Sequence, residues 1–586
     1  MKILLLLAGL GLGLAARAAE DKPFIVWNNP PAKPQEFLTH HTYQSAAMKT
    51  EVGFNLYLPP GYDATGNTNR YPVIYWCHGM NCHESIDQFP ARLVEQAIRE
   101  LRIPSLIVVY VSGGSQSFYC DSPDLHWASE TTITTELIPH IDANYRTLAS
   151  RDYRAIQGMS MGGFGSMRLA LKHPELFSSV VAFAGGYVGV ARLLEKERSI
   201  HLENMFGGDT NKFIANHPFT LAKQNADRVR GQLGIKLFVG NEDFLLEPNR
   251  KMHAALTDAG LPHEYDEVPA IKHDLRRLSE WIGSDGLEFA VKHFAMSTAK
   301  DHDGPWVNPP TEKEKVPNSE HHIFWSDAMR RPIGYNIYLP PGYYDAGSGR
   351  GLSTNTARYP VVFYLHGMTD SESTHFYNAA HLHQAILDGK LPPMIYVHAY
   401  AGRTSWFSDY TDGSVMGESI IVKELIPQID RRWRTLADRE HRSLHGFSMG
   451  GSGALKIAAK HPELFSSVVA YSGGYRELDE IKKLHQDQFA KIWNGDEARW
   501  LADEPWTLIR QRADALRGKV AIRQVVGTKD FLLEHNRKMH ALLNELKLPH
   551  DYEEIEGIGH DPKRVWEAAG VKGWAFSAAH FGSEAR

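Results

Sequence analysis

Short apolar runs alternate with longer segments of helical character along this chain. Four of the runs are rich in Val, Ile and Tyr and lie at residues 73–76, 107–111, 180–183 and 236–239. Helical segments come between and after them, for example at 132–143 and 250–258. Continuous apolar strands that alternate with helices are typical of a mostly parallel sheet covered by helices on both faces. The pattern therefore predicts an α/β fold.

The same pattern occurs twice. The segment Leu-Pro-Pro-Gly-Tyr at 58–62 returns at 339–343, and the eight residues at 172–179 return unchanged at 460–467. A repeat of this length means two complete domains rather than a solenoid. We predict a first domain at 20–296, a linker with its proline-bearing lead-in at 297–320, and a second domain at 321–586.

The amino-terminal segment 1–19 has the features of a secretory signal peptide. One cation, Lys2, precedes an apolar core at 3–14, and small residues at Ala16 and Ala18 form an A-x-A cleavage site. The apolar core is shorter than the roughly 20 residues that a membrane span needs. We therefore expect a secreted or periplasmic protein with no membrane attachment after signal cleavage.

Composition argues against two classes of anionic partner. The chain has 586 residues, 23% of them charged, and a formal net charge of -6. No dense run of Lys and Arg occurs. Nucleic acid and anionic membrane surfaces are therefore not expected partners.

Each half contains a G-x-S-x-G motif, at 158–162 and 446–450. A strand-like run leads into each motif, and a helix-forming run follows it. Strand, motif and helix in this order predict a nucleophile elbow, a tight turn that lifts a serine hydroxyl above the sheet. Ser160 and Ser448 are therefore the candidate nucleophiles.

A serine of this kind needs a histidine as general base and a carboxylate that orients the histidine. His273 and His560 each follow a strand-like segment near the end of a half. Asp243 and Asp530 each lie just past an earlier strand. The spacings agree, since 243 − 160 = 83 and 273 − 243 = 30 in the first half, against 530 − 448 = 82 and 560 − 530 = 30 in the second.

Three other carboxylates compete for the role of orienting acid. Glu242 is replaced by Lys529 in the second half, which argues against it. Glu247 and Glu534 lie about one helical turn beyond the strand end, so we favour the two aspartates.

The oxyanion hole is predicted from backbone N–H groups at Met161 and Met449, which follow the nucleophiles. The loop after the third strand carries His-Gly-Met in both halves, and its Met80 or Met368 would supply the second donor. The histidines of these loops have no metal-site spacing to other ligands. We predict no metal and no cofactor.

These motifs together resemble the esterase-D-like branch of the α/β-hydrolases, which includes secreted feruloyl and acetylxylan esterases, S-formylglutathione hydrolases and mycolyltransferases. The resemblance covers both halves. It implies two tandem α/β-hydrolase domains, a Ser-His-Asp carboxylic ester hydrolase, and an ester-decorated polysaccharide, oligosaccharide or small ester as substrate. Leu275 and Pro562 stand where feruloyl esterases often have an aromatic residue, so the acyl group stays open.

Aromatic pairs occur on the loop after the fourth strand, as Phe118-Tyr119 and Trp406-Phe407. Because the loop leaves the carboxyl end of a strand, these side chains are candidates for substrate binding. Aromatic runs more often serve packing, and that alternative stays open.

All three cysteines lie in the first half. Cys77 falls in a strand and matches a leucine in the second half, which indicates a buried apolar role. Cys82 and Cys120 lie in loops that border the predicted active site, and an oxidising compartment favours a disulfide between them.

The leading prediction is a secreted serine esterase with two active sites that removes feruloyl or acetyl groups from plant cell-wall polysaccharide, and two alternative functions remain. The chain could be another exported serine esterase or an acyltransferase that acts on a lipid or polyester. One half could also be a carbohydrate-binding module without catalysis, although both halves keep the serine, aspartate and histidine.

Overall fold

A computed structural model describes residues 26–86, 91–195, 199–295, 303–311, 316–344 and 355–583. The predicted signal peptide at 1–19 and parts of the predicted linker lie outside these ranges. The chain folds into two compact units, which divide between residues 297 and 298 except that Glu100–Arg102 group with the second unit.

Within its described residues, the first unit has one sheet of eight strands in the order β1-β2-β4-β3-β5-β6-β7-β8. The strands are β1 (Leu38–Ser45), β2 (Thr50–Tyr57), β3 (Val73–Cys77), β4 (Ile107–Val111), β5 (Arg154–Met159), β6 (Ser179–Phe183), β7 (Gly234–Gly240) and β8 (Glu264–Val268). The β1–β2 and β2–β4 pairs are antiparallel, and all other neighbours are parallel. The predicted α/β class is therefore correct, with an antiparallel edge that the apolar pattern did not predict.

The helices of the first unit flank this sheet. They are α1 (Ala91–Arg99), α2 (Ser129–Thr131), α3 (Ile138–Asn144), α4 (Met161–Lys172), α5 (Val190–Leu193), α6 (Ser199–Phe206), α7 (Thr210–Asn216), α8 (Pro218–Gln224), α9 (Ala226–Val229), α10 (Leu246–Asp258), α11 (Leu275–Ile282) and α12 (Asp285–Lys292). A π-helical turn at Thr132–Leu137 joins α2 to α3, so the helix predicted at 132–143 exists with an irregular first half.

The second unit repeats this architecture in the order β16-β15-β14-β13-β11-β12-β10-β9. Its strands are β9 (Ser319–Ser326), β10 (Arg331–Tyr338), β11 (Val361–Leu365), β12 (Ile395–Ala399), β13 (Arg442–Phe447), β14 (Ser467–Tyr471), β15 (Ala521–Gly527) and β16 (His550–Ile555). Its helices are α13 (Ala379–Leu387), α14 (Gly417–Ser419), α15 (Ile426–Arg432), α16 (Met449–Lys460), α17 (Leu478–Leu484), α18 (Gln486–Trp493), α19 (Glu497–Asp503), α20 (Pro505–Leu516), α21 (Leu533–Glu545), α22 (Pro562–Ala569) and α23 (Lys572–Ala579).

Both faces of the second sheet are covered, as its central strands show. Phe363 of β11 packs in an apolar cluster with Leu455 of α16, whereas its neighbours Val362 and Tyr364 pack in a second cluster with Trp566 of α22. Successive side chains of a strand point to opposite faces, so burial of both sets requires helices on both sides.

The strand register brings three loops to one edge of the first sheet. Gly158 of β5 pairs with Cys77 of β3 on one side and with Ala182 of β6 on the other. The chain therefore leaves β3, β5 and β6 at nearly the same level, at the carboxyl ends of parallel strands. Open α/β sheets bind ligands at this edge.

Candidate active site

Ser160 occupies a sharp turn between β5 and α4. Its backbone angles are φ 58° and ψ −117°, a region that residues other than glycine seldom enter. A Cβ atom at Gly162 would lie 2.0 Å from the carbonyl oxygen of Cys77, so only glycine permits this close approach. Ser448 has φ 57° and ψ −117° between β13 and α16. Both motifs therefore form the predicted elbow.

The three predicted residues of the first unit meet above the sheet. His273 Nε2 lies 3.0 Å from Ser160 Oγ, and His273 Nδ1 lies 2.8 Å from Asp243 Oδ2. The other carboxylate oxygen of Asp243 accepts the backbone N–H of Leu245 at 2.7 Å. With Nδ1–H donating to the carboxylate, Nε2 is left to accept the proton of the serine hydroxyl.

The second unit repeats this chain of hydrogen bonds. His560 Nε2 lies 2.9 Å from Ser448 Oγ, and His560 Nδ1 lies 2.9 Å from Asp530 Oδ2. Burial acts to raise the pKa of Asp530, but hydrogen bonds from His560 and from the backbone of Leu532 outweigh it and hold that pKa below its usual value. The carboxylate is therefore ionised and available to stabilise an imidazolium.

The competing glutamates point elsewhere. Glu247 forms an ion pair of 2.7 Å with Arg250, and its side chain is 69% exposed. Glu534 pairs in the same way with Arg537 at 2.9 Å. Both residues lie in the first turn of a helix, α10 or α21, so the aspartates are the carboxylates at the histidines.

The loops predicted to supply the oxyanion donors border the same site. In the second unit, Met368, Met449, Ser448 and His560 line one cavity of about 400 Å³. Met449 is the first residue of α16, so its N–H lies at a helix amino terminus, where negative charge is favoured. In the first unit Met161 likewise begins α4.

The histidine of the first His-Gly-Met loop has a structural role. His78 Nδ1 donates to the carbonyl of Gly79 at 2.9 Å, and its Nε2 accepts the N–H of Gly113 at 3.1 Å. Burial lowers the pKa of His78 to about 4, so the ring is neutral. It ties the loop after β3 to the loop after β4.

Both units match the sequence model of one protein family. The profile of the family described as "Putative esterase" matches residues 45–282 and 326–575, one region in each unit. The chain belongs to this esterase family. The two regions contain all six residues of the hydrogen-bonded triads.

Named proteins match parts of the chain, and the chain covers less than two thirds of the length of the first of these relatives. The chain is 32% identical over 185 residues to an endo-1,4-beta-xylanase/feruloyl esterase of Xylanibacter ruminicola, a match that covers 30% of this chain and 25% of that protein. It is 28% identical over 294 residues to an esterase of Mycobacterium tuberculosis, covering 45% of this chain and 61% of that one. A solved ferulic acid esterase covers 44% of this chain and 98% of its own at 22% identity, with a TM-score of 0.39.

The aromatic pairs predicted to bind substrate divide into two groups. Phe118, Tyr119 and Phe407 are no more than 2% exposed and belong to the apolar cores. Tyr119 donates its hydroxyl proton to the carbonyl of His78. The prediction of a binding surface is wrong for these three residues, because their rings are packed in the apolar cores. Trp406 lines the cavity beside Ser448.

Two aromatic residues that were not predicted from the sequence lie against the site. Phe244 is 69% exposed, and its ring centre is 4.6 Å from that of His273. Phe531 is 63% exposed and lies 4.5 Å from His560. Each directly follows the aspartate of its triad in the sequence. The recurrence of this phenylalanine in both halves was the sequence signal that could have identified it.

The predicted disulfide is not formed. All three cysteines are thiols in the structure. Cys120 is 1% exposed and packs in the core, where its thiol contacts the carbonyl of Phe118 at 3.5 Å. Cys82 is half-buried in its loop. This corrects the predicted pairing of Cys82 with Cys120: both are free thiols, one packed in the apolar core and the other half-buried in its loop.

Two further features of the described residues concern cofactors and membranes. No group of three or more His, Cys, Asp or Glu side chains is arranged to hold a metal ion in the part of the chain that the structure describes. Nor does any described helix have the length and apolar character needed to cross a bilayer.

Proposed function

We propose that the protein is an exported serine carboxylic ester hydrolase with one active site in each unit, and that it removes feruloyl or acetyl groups from plant cell-wall polysaccharide. The observation that carries the proposal is the Ser–His–Asp hydrogen-bond chain, which occurs in both units with contacts between 2.8 and 3.0 Å. A chain of this kind on a strained elbow suits acyl transfer.

The reaction follows from these contacts. The serine hydroxyl attacks the ester carbonyl while its proton passes to Nε2 of His273 or His560. The negative charge that develops on the carbonyl oxygen is stabilised by the N–H groups of Met161 and Met80, or of Met449 and Met368. The imidazolium then protonates the leaving alcohol. Water, deprotonated by the same histidine, releases the acyl group from the serine.

The substrate class rests on two observations. One relative, identical at 32% of positions over 185 residues, is named as a xylanase/feruloyl esterase. In addition, the cavity beside Ser448 has a volume of about 400 Å³ and is lined by Trp406 and Phe531, a size and lining that suit an aromatic acyl group. The expected partner is accordingly a polysaccharide or oligosaccharide that carries such esters.

Export is proposed from the pattern of residues 1–19 and agrees with a substrate too large to enter a cell. Amino-terminal sequencing of the protein recovered outside the cytoplasm tests it. A mature chain that begins after Ala18 or Ala19 is the expected result, and a chain that retains Met1 would contradict export by a cleaved signal.

Serine substitutions test the two-site proposal. Ser160→Ala and Ser448→Ala are each expected to leave the activity of the other unit, and the double variant is expected to lose at least about 10³-fold in kcat. Activity is measured on methyl ferulate, acetylated xylan and 4-nitrophenyl acetate. Ser414→Ala, at an exposed serine of the second unit, is the matched control.

Three outcomes would count against the proposal. Full activity in the double variant would exclude both serines as nucleophiles. Complete loss on every ester in one single variant would leave only one working site. Hydrolysis of long-chain lipid esters with no turnover of methyl ferulate or acetylated xylan would favour the lipid or polyester alternative.

A further inference from the structure

The cavity beside Ser448 contains one strongly basic side chain. Arg476 lines it together with Trp406 and Phe531. The guanidinium lies 5.6 Å from the centre of the Phe531 ring, which in turn lies against His560. The charge is therefore located in the same cavity as the nucleophile.

The guanidinium of Arg476 is held by few contacts. Its side chain is only 15% exposed, yet its one described polar contact is an ion pair of 3.6 Å with Glu480. No side-chain hydrogen bond from this guanidinium is present within the described residues. A guanidinium offers five N–H donors in a planar fork that matches carboxylate groups. A largely enclosed arginine with unused donors points to an acceptor that arrives with the substrate.

Glu480 shares its carboxylate among several partners: Oε1 lies 3.6 Å from Arg476, and Oε2 takes the other two contacts. It contacts His535 Nε2 at 2.7 Å and accepts the backbone N–H of Glu477 at 3.1 Å. The cavity lining itself contains one acid, Asp370, which lies 3.6 Å from His375 and belongs to the loop after β11.

The first unit differs at this position. The motif Gly-Gly-Tyr follows β6 at 185–187 and β14 at 473–475, and the next residue is Val188 in the first unit and Arg476 in the second. Both serines, histidines and aspartates are shared, so this difference concerns what each site binds rather than the chemistry it performs.

We propose that the second site prefers esters whose acyl or alcohol part carries a carboxylate, and that Arg476 binds that carboxylate. The inference rests on the proposed esterase function. A uronic acid close to the ester bond of a polysaccharide has the required chemistry. Charge-assisted hydrogen bonds to arginine are about twice as strong as neutral ones and fix the orientation of the bound group.

Two matched pairs of esters test the inference in a Ser160→Ala background, in which only the second site can react. Mono(4-nitrophenyl) adipate and 4-nitrophenyl hexanoate differ by a carboxylate on the acyl side. The pair 4-acetoxybenzoate and 4-acetoxybenzamide differs on the alcohol side. The quantity measured is the ratio of kcat/KM for the charged ester to that for the neutral ester.

Arg476→Val is expected to lower this ratio roughly 10-fold in at least one pair, mainly through KM. Arg476→Gln serves as a polar substitute if the valine variant does not fold. Arg510→Val is the control, since Arg510 is an exposed residue paired with Glu545 and its loss should leave the ratio unchanged. The first site, measured in a Ser448→Ala background, should show a lower ratio than the second.

An unchanged ratio in both pairs for Arg476→Val and Arg476→Gln would overturn the inference while leaving the esterase function intact, provided that neutral esters are still hydrolysed. Absence of turnover on all four esters in the Ser160→Ala protein would instead contradict catalysis by the second unit.

Discussion

The substitution Asp243→Asn tests whether the catalytic histidine needs the carboxylate of Asp243, because asparagine has nearly the same shape but no negative charge. One oxygen of Asp243 accepts the N–H of Leu245 at 2.7 Å, and the other accepts Nδ1–H of His273 at 2.8 Å. An asparagine has one acceptor oxygen and one NH₂ group. Because the side chain is 1% exposed, leaving the N–H of Leu245 unpaired is costly, so the amide oxygen turns toward it. The NH₂ group then faces Nδ1.

This arrangement forces the wrong tautomer on His273. Nδ1 must accept from the amide, so the proton moves to Nε2, which then faces the hydroxyl of Ser160 and cannot take its proton. The same change in a serine protease lowers kcat by about 10⁴, which corresponds to about 5 kcal/mol in the activation barrier. We expect a loss of that order here.

The assay is hydrolysis of 4-nitrophenyl acetate in a Ser448→Ala background, so that the second unit does not mask the loss. Glu247→Gln is the matched control and should change kcat by less than about twofold, because surface ion pairs contribute little. Thermal unfolding of both variants checks that the fold is intact. More than a tenth of the original kcat in Asp243→Asn, or an equal loss in Glu247→Gln, would refute the assignment of the acid.

Three further outcomes are expected. Gly162→Ala places a Cβ atom 2.0 Å from a carbonyl oxygen of β3, so it should lower the unfolding midpoint and remove first-unit turnover; unchanged midpoint and activity would contradict the close approach. Burial raises the pKa of the Cys120 thiol to about 11, so iodoacetamide at pH 8 should label Cys82 first, and peptide mapping that finds equal rates would contradict this. Burial acts to raise the pKa of Glu418, yet its contacts, first with His461, lower it to about 2 from a reference of 4.5. A carboxyl group whose pKa is lower in the folded protein than in the unfolded chain stabilises the fold while it is ionised. The stabilisation from Glu418 is therefore complete above about pH 4.5 and is lost as the pH falls toward 2. In Glu418→Gln, the free energy of unfolding should therefore fall less steeply between pH 4.5 and pH 2. Urea unfolding at a series of pH values measures this, and an unchanged pH dependence would contradict it.

Sequence spacing was sufficient to select the hydrogen-bonded triads. Ser160 and His273 are 113 residues apart and meet at 3.0 Å. The sequence could indicate this because β-strand ends in a parallel sheet lie at one edge, and because the second copy eliminated Glu242. The duplicated spacing acted as an internal comparison.

Side-chain direction in the loops could not be predicted in the same way. Phe118 and Tyr119 have φ values of 51° and 58°, and Phe407 has 52°. Trp406 also has φ 52° but lines the cavity beside Ser448, so the left-handed backbone alone does not decide which rings pack in the core, and nothing in an aromatic pair indicates it. The same limit applies to the cysteines. Cys82 and Cys120 lie in loops at neighbouring strand ends, but this placement did not show whether their side chains point toward each other.

The sequence by itself determined the α/β class, the duplication, the elbows and the order of serine, aspartate and histidine. These features depend on the periodicity of apolar residues and on short motifs in which only glycine permits the required turn. Only the tertiary structure decided that Phe244 and Phe531 cover the histidines and that Arg476 enters the cavity of the second site. The physical reason is that the walls of a cavity come from distant segments, and their side chains take directions set by packing that no local pattern contains.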